Sequence, residues 1–207
     1  MKNLDCSILV FAKAPIPGEV KTRLFSLMNA EAAAALHKKL VFHALNLAVE
    51  SKTGSVELWC TPSIEHPFFI QCAEEFQVEL HRQAEGDLGK RMVYSFDKTL
   101  QKAPMALLMG TDCPSLTSDD LKEAKKALIE GTPLVISPAE DGGYVLIGLR
   151  QYESSVFEGI SWGTSSVLEE TRERVRRLRW RWRELSEKWD VDRPEDVERL
   201  KNSGLIK

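Results

Sequence analysis

Lys13, Lys21 and Arg23 put three cations into one short stretch, residues 11–24, FAKAPIPGEVKTRL. Gly18 and two prolines bend that stretch away from the apolar run before it. Such a loop can cradle phosphates through backbone N–H groups and offset their charge with its side chains. It matches neither a Walker loop nor G-x-G-x-x-G. A second feature stands at residues 105–116, MALLMGTDCPSL, where an apolar run stops at Gly110-Thr111-Asp112 and Pro114 prevents its continuation. A buried parallel strand delivering one carboxylate to the carboxyl edge of a sheet reads this way. That carboxylate is costly to bury alone but suits a hard divalent cation held against a diphosphate.

Two further acidic stations follow. Residues 138–144, PAEDGGY, set Glu140 and Asp141 before Gly142-Gly143, a tight turn that a ligand can approach, with Tyr144 beside it. A plain hairpin reads the same way. Residues 189–196, WDVDRPED, carry Asp190 and Asp192 on an extended segment, so they should face opposite ways, and Asp192 is the candidate metal carboxylate. Pro194, Glu195 and Asp196 suit the start of a helix. A weaker patch, residues 83–92, QAEGDLGKRM, offers Gly86 and Gly89 for close approach of a flat group and Arg91 for a phosphate or ribose; a helix opened at Asp87 explains it equally well. The four histidines show no zinc spacing and read as core or surface residues. The four cysteines form no C-x-x-C and read as buried, reduced thiols of a cytoplasmic protein.

These residues need a scaffold, and the pattern supplies one. Strands are expected at residues 7–12, 56–60, 78–81, 105–109, 133–137, 144–149 and 179–183. Helices are expected from Asn29, where Leu36, Leu40, Ala44 and Leu47 form one stripe, and over residues 67–76, 88–101, 165–177 and 194–200. Another opens at a Thr117–Asp120 capping box and runs to Glu130. Early strands alternate with helices, which predicts an α/β, three-layer α/β/α sandwich with a mostly parallel, Rossmann-like sheet in one domain.

A chain of 207 residues with 43% hydrophobic and 29% charged residues is globular in type. No apolar run nears the roughly 20 residues that span a bilayer, and the first residues lack a signal-peptide cleavage pattern. Residues 171–183 hold seven arginines against one glutamate, a net +6 within a chain of net charge -3. In 179–183, arginine and tryptophan alternate as on a half-buried strand, so this excess reads as a solvated face and nucleic acid is not an expected partner.

In order along the chain, FAKAPIPGEVKTRL, GDLGKRM, GTDCPSL, PAEDGGY and WDVDRPED resemble the nucleotide-diphospho-sugar transferase superfamily with the glycosyltransferase-A fold. More narrowly they resemble its small bacterial glycosyltransferase-like branch (DUF2064-like), in part linked to arsenosugar biosynthesis. The resemblance implies that the loop with Ala12, Lys13, Ala14, Gly18, Lys21 and Arg23 holds a nucleotide and its phosphates, while Gln83, Gly86, Gly89 and Arg91 line base or ribose. Asp112, and Asp192 of the D-x-P-E-D signature, would hold Mg²⁺ or Mn²⁺, although only GTD is present and not a full D-x-D. Gly142, Gly143, Tyr144, Trp162 and Thr164 would face a small-molecule acceptor, with Gly163 where relatives often have serine. The catalytic pair would be Asp112, through the metal, and Asp141, as base if configuration inverts. The same features resemble guanylyltransferases acting on phospholactate, whose first loop has a similar KTRL segment. That alternative takes an NTP and releases pyrophosphate.

Overall fold

A computed structural model describes residues 6–206 of the chain. Residues 1–5, part of the opening stretch, lie outside them. The elements in order are β1 (Cys6–Lys13), α1 (Ala30–Glu50), β2 (Ser55–Thr61), α2 (Pro67–Phe76), β3 (Glu79–Arg82), α3 (Leu88–Leu100) and β4 (Met105–Gly110). They continue with α4 (Ser118–Ile129), β5 (Leu134–Pro138), β6 (Tyr144–Leu149), α5 (Val167–Arg177), β7 (Trp182–Glu184) and α6 (Pro194–Ser203). The seven strands form one sheet in the order β3-β2-β1-β4-β6-β5-β7. All pairs are parallel except those of β6, which runs antiparallel to both β4 and β5.

This order places the site. The chain winds outward from β1 to β3, then returns to lay β4 on the other side of β1. A crevice opens where the winding reverses, at the carboxyl ends of β1 and β4, as open α/β sheets allow. Because β6 runs backwards, the 139–143 turn between β5 and β6 also lies at that edge, as does the segment leaving β7.

Alternation along the strands builds two core layers. Ile8, Val10, Leu58, Leu107 and Val135 face α1, α2 and α4, meeting Val41, Leu45, Phe69, Leu121 and Leu128. Leu9, Phe11, Trp59, Leu108, Ile136 and Ile147 face the other way, onto Met92 and Phe96 of α3 and Leu168 and Val175 of α5. Each fully buried aliphatic side chain contributes about 1.5–3 kcal/mol. A third, smaller cluster joins Leu24, Leu40 of α1, Val191, and Val197 and Leu200 of α6. It docks the last helix against the first loop.

Caps hold the helix starts as the sequence implies. Asn29 caps α1, Asp87 caps α3, and Thr117 with Asp120 forms the capping box of α4. One expectation shifts. The Arg/Trp strand is only Trp182–Glu184, because Arg179 adopts φ 56° to close α5 and turns the chain before pairing begins. The arginines do point outward and the tryptophans are half-buried. Several carry partners: Arg172 binds Glu184 and Glu169, Arg176 binds Glu169, and Arg183 binds Glu123. Much of the excess charge is thus matched locally. Among the described residues no helix is long and apolar enough to cross a membrane.

Candidate active site

The site is organised by Lys21. Its backbone takes the left-handed conformation, φ 52°, which throws the side chain inward at the start of a short 3-10 turn, Thr22–Leu24. Only 3% of that side chain is exposed. Its ammonium lies 2.7 Å from Asp112 Oδ1 and 3.5 Å from Asp192 Oδ1, and donates to the Val191 carbonyl at 2.7 Å. Arg23 reaches Asp192 Oδ2 at 2.6 Å from the solvent side. Two carboxylates separated by 80 residues of sequence therefore share one buried cation.

Asp112 follows β4 as expected. Its Oδ1 is sealed from solvent and has no hydrogen-bond partner beyond that ion pair, yet the side chain is 43% exposed, so the other oxygen faces outward. Burial alone would raise its pKa; Lys21 and His37 outweigh that and hold it below the ordinary value. His37, on α1, is a site residue the sequence reading passed over. Its Nε2 bonds the Lys13 carbonyl at 2.9 Å, while Nδ1 is buried, unpartnered and 3.8 Å from Asp112 Oδ1. Burial pushes the imidazole pKa down, against the pull of Asp112. Nothing local marks this histidine; only the packing of α1 on the β1–β4 crevice brings it there.

A cavity of about 420 Å³ opens beside Lys21, lined by Arg23, Asp141, Tyr144, Trp162, Asp190 and Asp192 among others. Gly143, Gly163 and Thr164 also line it; Asp112 stands just behind, reached through Lys21. The expectation that Asp190 and Asp192 face opposite ways is corrected: both line this cavity. The segment pairs with its neighbour only at Lys188, so strand alternation does not apply to it. It is fixed instead by Val191 N–H donating to the Asp112 carbonyl and Lys188 N–H donating to the Pro138 carbonyl. Asp190 has its pKa raised to about 6, by burial first and then by Asp141 and Asp192.

On the opposite wall, Asp141 Oδ1 accepts from Gly143 N–H, which closes the turn. Gly142 has φ 89° and sits so tightly on Ser165 that an added Cβ would fall 2.2 Å from its carbonyl oxygen. The turn is both a β5–β6 hairpin and a wall of the cavity. Glu140 faces away, held by a two-pronged bond from Arg199 of α6. Tyr144 meets Trp162 edge-on at 6.4 Å, and burial drives its phenol pKa up. The Thr164 hydroxyl donates to the Ser161 carbonyl.

The remaining expected residues are not drawn into this cavity. Lys13 turns to Glu19, binding its carbonyl and carboxylate. Ala12 and Ala14 are buried at the end of β1, and Gly18 makes an exposed turn at φ 87°. Gln83 is 7% exposed, and its amide donates to the carbonyls of Trp59 and Ala12, bracing strand ends. Gly86 accepts from Arg91 Nε, so that arginine serves its own loop. The space above Gly89 is filled by protein: a Cβ there would lie 2.6 Å from Trp162 Nε1 and 2.9 Å from the Phe157 carbonyl.

Among the described residues no three His, Cys, Asp or Glu side chains form a ready metal centre. The donor chemistry nevertheless fits a hard cation. Asp112 and Asp192 already hold one, the Lys21 ammonium as stand-in, and Asp112 Oδ1 is a sealed oxygen with no other partner.

Comparison with known proteins identifies the family and the fold. Residues 44–164 match the family described as "Uncharacterized protein conserved in bacteria (DUF2064)". A solved structure from Desulfovibrio desulfuricans G20, provisionally described as a nucleotide-diphospho-sugar transferase, is 30% identical over 96% of this chain and 87% of that one, with TM-score 0.87. The chain belongs to the DUF2064 family. The resemblance read from its five motifs therefore holds, as does the α/β, glycosyltransferase-A-like fold. No curated protein matches the chain.

More distant structures share the family's fold alone. CMP:2-keto-3-deoxy-manno-octonic acid synthetase complexed with CTP is 13% identical, over 97% of this chain and 98% of that one, TM-score 0.60. Glucosyl-3-phosphoglycerate synthase of Mycobacterium tuberculosis, in complex with Mn²⁺, UDP and glucosyl-3-phosphoglycerate, is 9% identical, over 98% and 77%, TM-score 0.57. This family member accordingly shares its fold with nucleotide-sugar transferases and nucleotidylyltransferases.

Proposed function

We propose that this protein binds a nucleoside-diphosphate sugar together with Mg²⁺ or Mn²⁺ and passes the sugar to a small acceptor. The observation that carries the reading is the Lys21 ammonium held between Asp112 and Asp192 beside an open cavity at the β1–β4 switch point. Lys21 and Arg23 offset diphosphate charge, and Asp112 with Asp192 holds the metal. A bound divalent ion supplies charge stabilisation for the departing diphosphate. Trp162 and Tyr144 give the cavity an aromatic wall suited to a sugar or acceptor ring.

Asp141 is placed to take the proton from an acceptor hydroxyl if configuration inverts. Asp190, in the same cavity and with its pKa raised by burial and then by Asp141, adds to the negative character of that wall and favours a neutral hydroxyl over an acidic acceptor.

A second reading, nucleotidyl transfer from an NTP with release of pyrophosphate, is favoured by the fold shared with the CTP-bound synthetase. Titration with UDP-, GDP- and CDP-sugars, with and without Mn²⁺, separates the two. Saturable, Mn²⁺-strengthened binding of a sugar nucleotide is the expected result. Binding of nucleoside triphosphates only, with pyrophosphate released, would replace the first reading by the second.

A further inference from the structure

The Lys21 ammonium has three N–H donors and three close oxygens: Asp112 Oδ1, Asp192 Oδ1 and the Val191 carbonyl. With 3% of its side chain exposed, solvent does not share in this arrangement. A divalent ion held by both carboxylates must occupy the ground on which that ammonium now sits. The two carboxylates are also already matched, charge for charge, by Lys21 and Arg23. Metal entry alone therefore leaves a buried ammonium without a counter-ion, a strongly unfavourable state.

Departure of the ammonium alone fares no better. Asp112 Oδ1 is sealed, with no hydrogen-bond donor to replace it, and the His37 Nδ1 beside it, at 3.8 Å, is itself unpartnered. One cation has to be exchanged for another. Lys21 itself lines the cavity, so its side chain has somewhere to swing, and a diphosphate there provides the missing negative charge. We propose that Lys21 holds the metal's place in the empty site and yields it to the metal only as a diphosphate draws the ammonium away. Metal and nucleotide then bind as a coupled pair rather than metal first. The inference rests on the metal-assisted reading above and adds an order of binding to it.

Mn²⁺ titration followed by electron paramagnetic resonance, on the full chain with and without UDP, tests this. Wild type should bind Mn²⁺ weakly alone and at least tenfold more tightly with UDP; by reciprocity Mn²⁺ should tighten UDP equally. Lys21→Met should raise nucleotide-free Mn²⁺ affinity at least tenfold and remove most of the UDP effect. Arg23→Met, which takes a charge from Asp192 without vacating the shared place, should change it far less. Equal Mn²⁺ affinity in wild type and Lys21→Met overturns the exchange while leaving metal use intact. No Mn²⁺ binding by either protein, even with UDP, overturns both. Should Lys21→Met fail to fold, acetylation of Lys21 in the wild type, mapped by peptide mass, reads the same event. Lys21 should stay protected with Mn²⁺ alone and change its reactivity with Mn²⁺ and UDP together; unchanged protection with both, or full reactivity with Mn²⁺ alone, would refute the exchange.

Discussion

Lys188 Nζ and Asp120 Oδ2 meet at 2.8 Å beneath the site, both largely buried, and this ion pair joins the C-terminal segment to the start of α4. Asp120 also accepts from Thr117 N–H and hydroxyl, so one carboxylate caps a helix and anchors the segment that carries Asp190 and Asp192.

Asp120→Asn should therefore destabilise the fold by about 1–3 kcal/mol, the range for losing a buried charged hydrogen-bond partner. Urea denaturation reads this directly. A change below about 0.3 kcal/mol would mean the anchor is redundant.

Acid stability should move with the same group. Burial would raise the Asp120 pKa, but Lys188 and Thr117 outweigh it and hold it below the ordinary value of 3.8. A depressed folded-state value means the unfolded chain takes up the proton first. The contribution is thus whole above pH 3.8 and is lost as pH falls through the lower folded value. The Asp120→Asn variant should show a shallower loss of stability below pH 4 than wild type.

Two glycines on the same rim should respond differently. Gly142→Ala meets the Ser165 carbonyl as well as an unfavourable φ of 89°, whereas Gly163, at φ 82°, has nothing within 4 Å of an added Cβ. Gly163→Ala should lower stability by about 1–2 kcal/mol, the left-handed backbone term alone. Gly142→Ala should lower it more and impair transfer by moving the Asp141 turn. Thermal unfolding of the two variants side by side settles the order.

Asp141→Asn should reduce kcat by about 10²–10⁴-fold, the usual contribution of a positioned base, with sugar-nucleotide affinity retained. Equal loss of donor binding would instead assign Asp141 to the nucleotide side.

Local chemistry was the legible part of the sequence. The Thr117–Asp120 box, the helix caps and the strand ending at Gly110 depend on neighbours a few residues apart, and all lie where spacing puts them. Asp112 and Asp192, expected from the resemblance to hold Mg²⁺ or Mn²⁺, come together in the structure on Lys21, a lysine that the spacing of the carboxylates does not name. The orientation of Asp190 was not legible, since period-two alternation holds only for a paired strand and this segment is held by isolated bonds. Gly89 looked like room for a ligand, but the indole of Trp162, 73 positions later, occupies it. His37 shows the same limit: its partner is across the sheet edge, and no local pattern names it.

The small apolar cluster of Leu24, Leu40, Val191, Val197 and Leu200 has a consequence for assembly. Lys21 and Asp192 are 171 residues apart, so the binding centre comes into being only when the final helix clasps the first turn. The strands themselves are complete before that helix begins, so the sheet and the Lys21–Asp192 contact are separable parts of the fold.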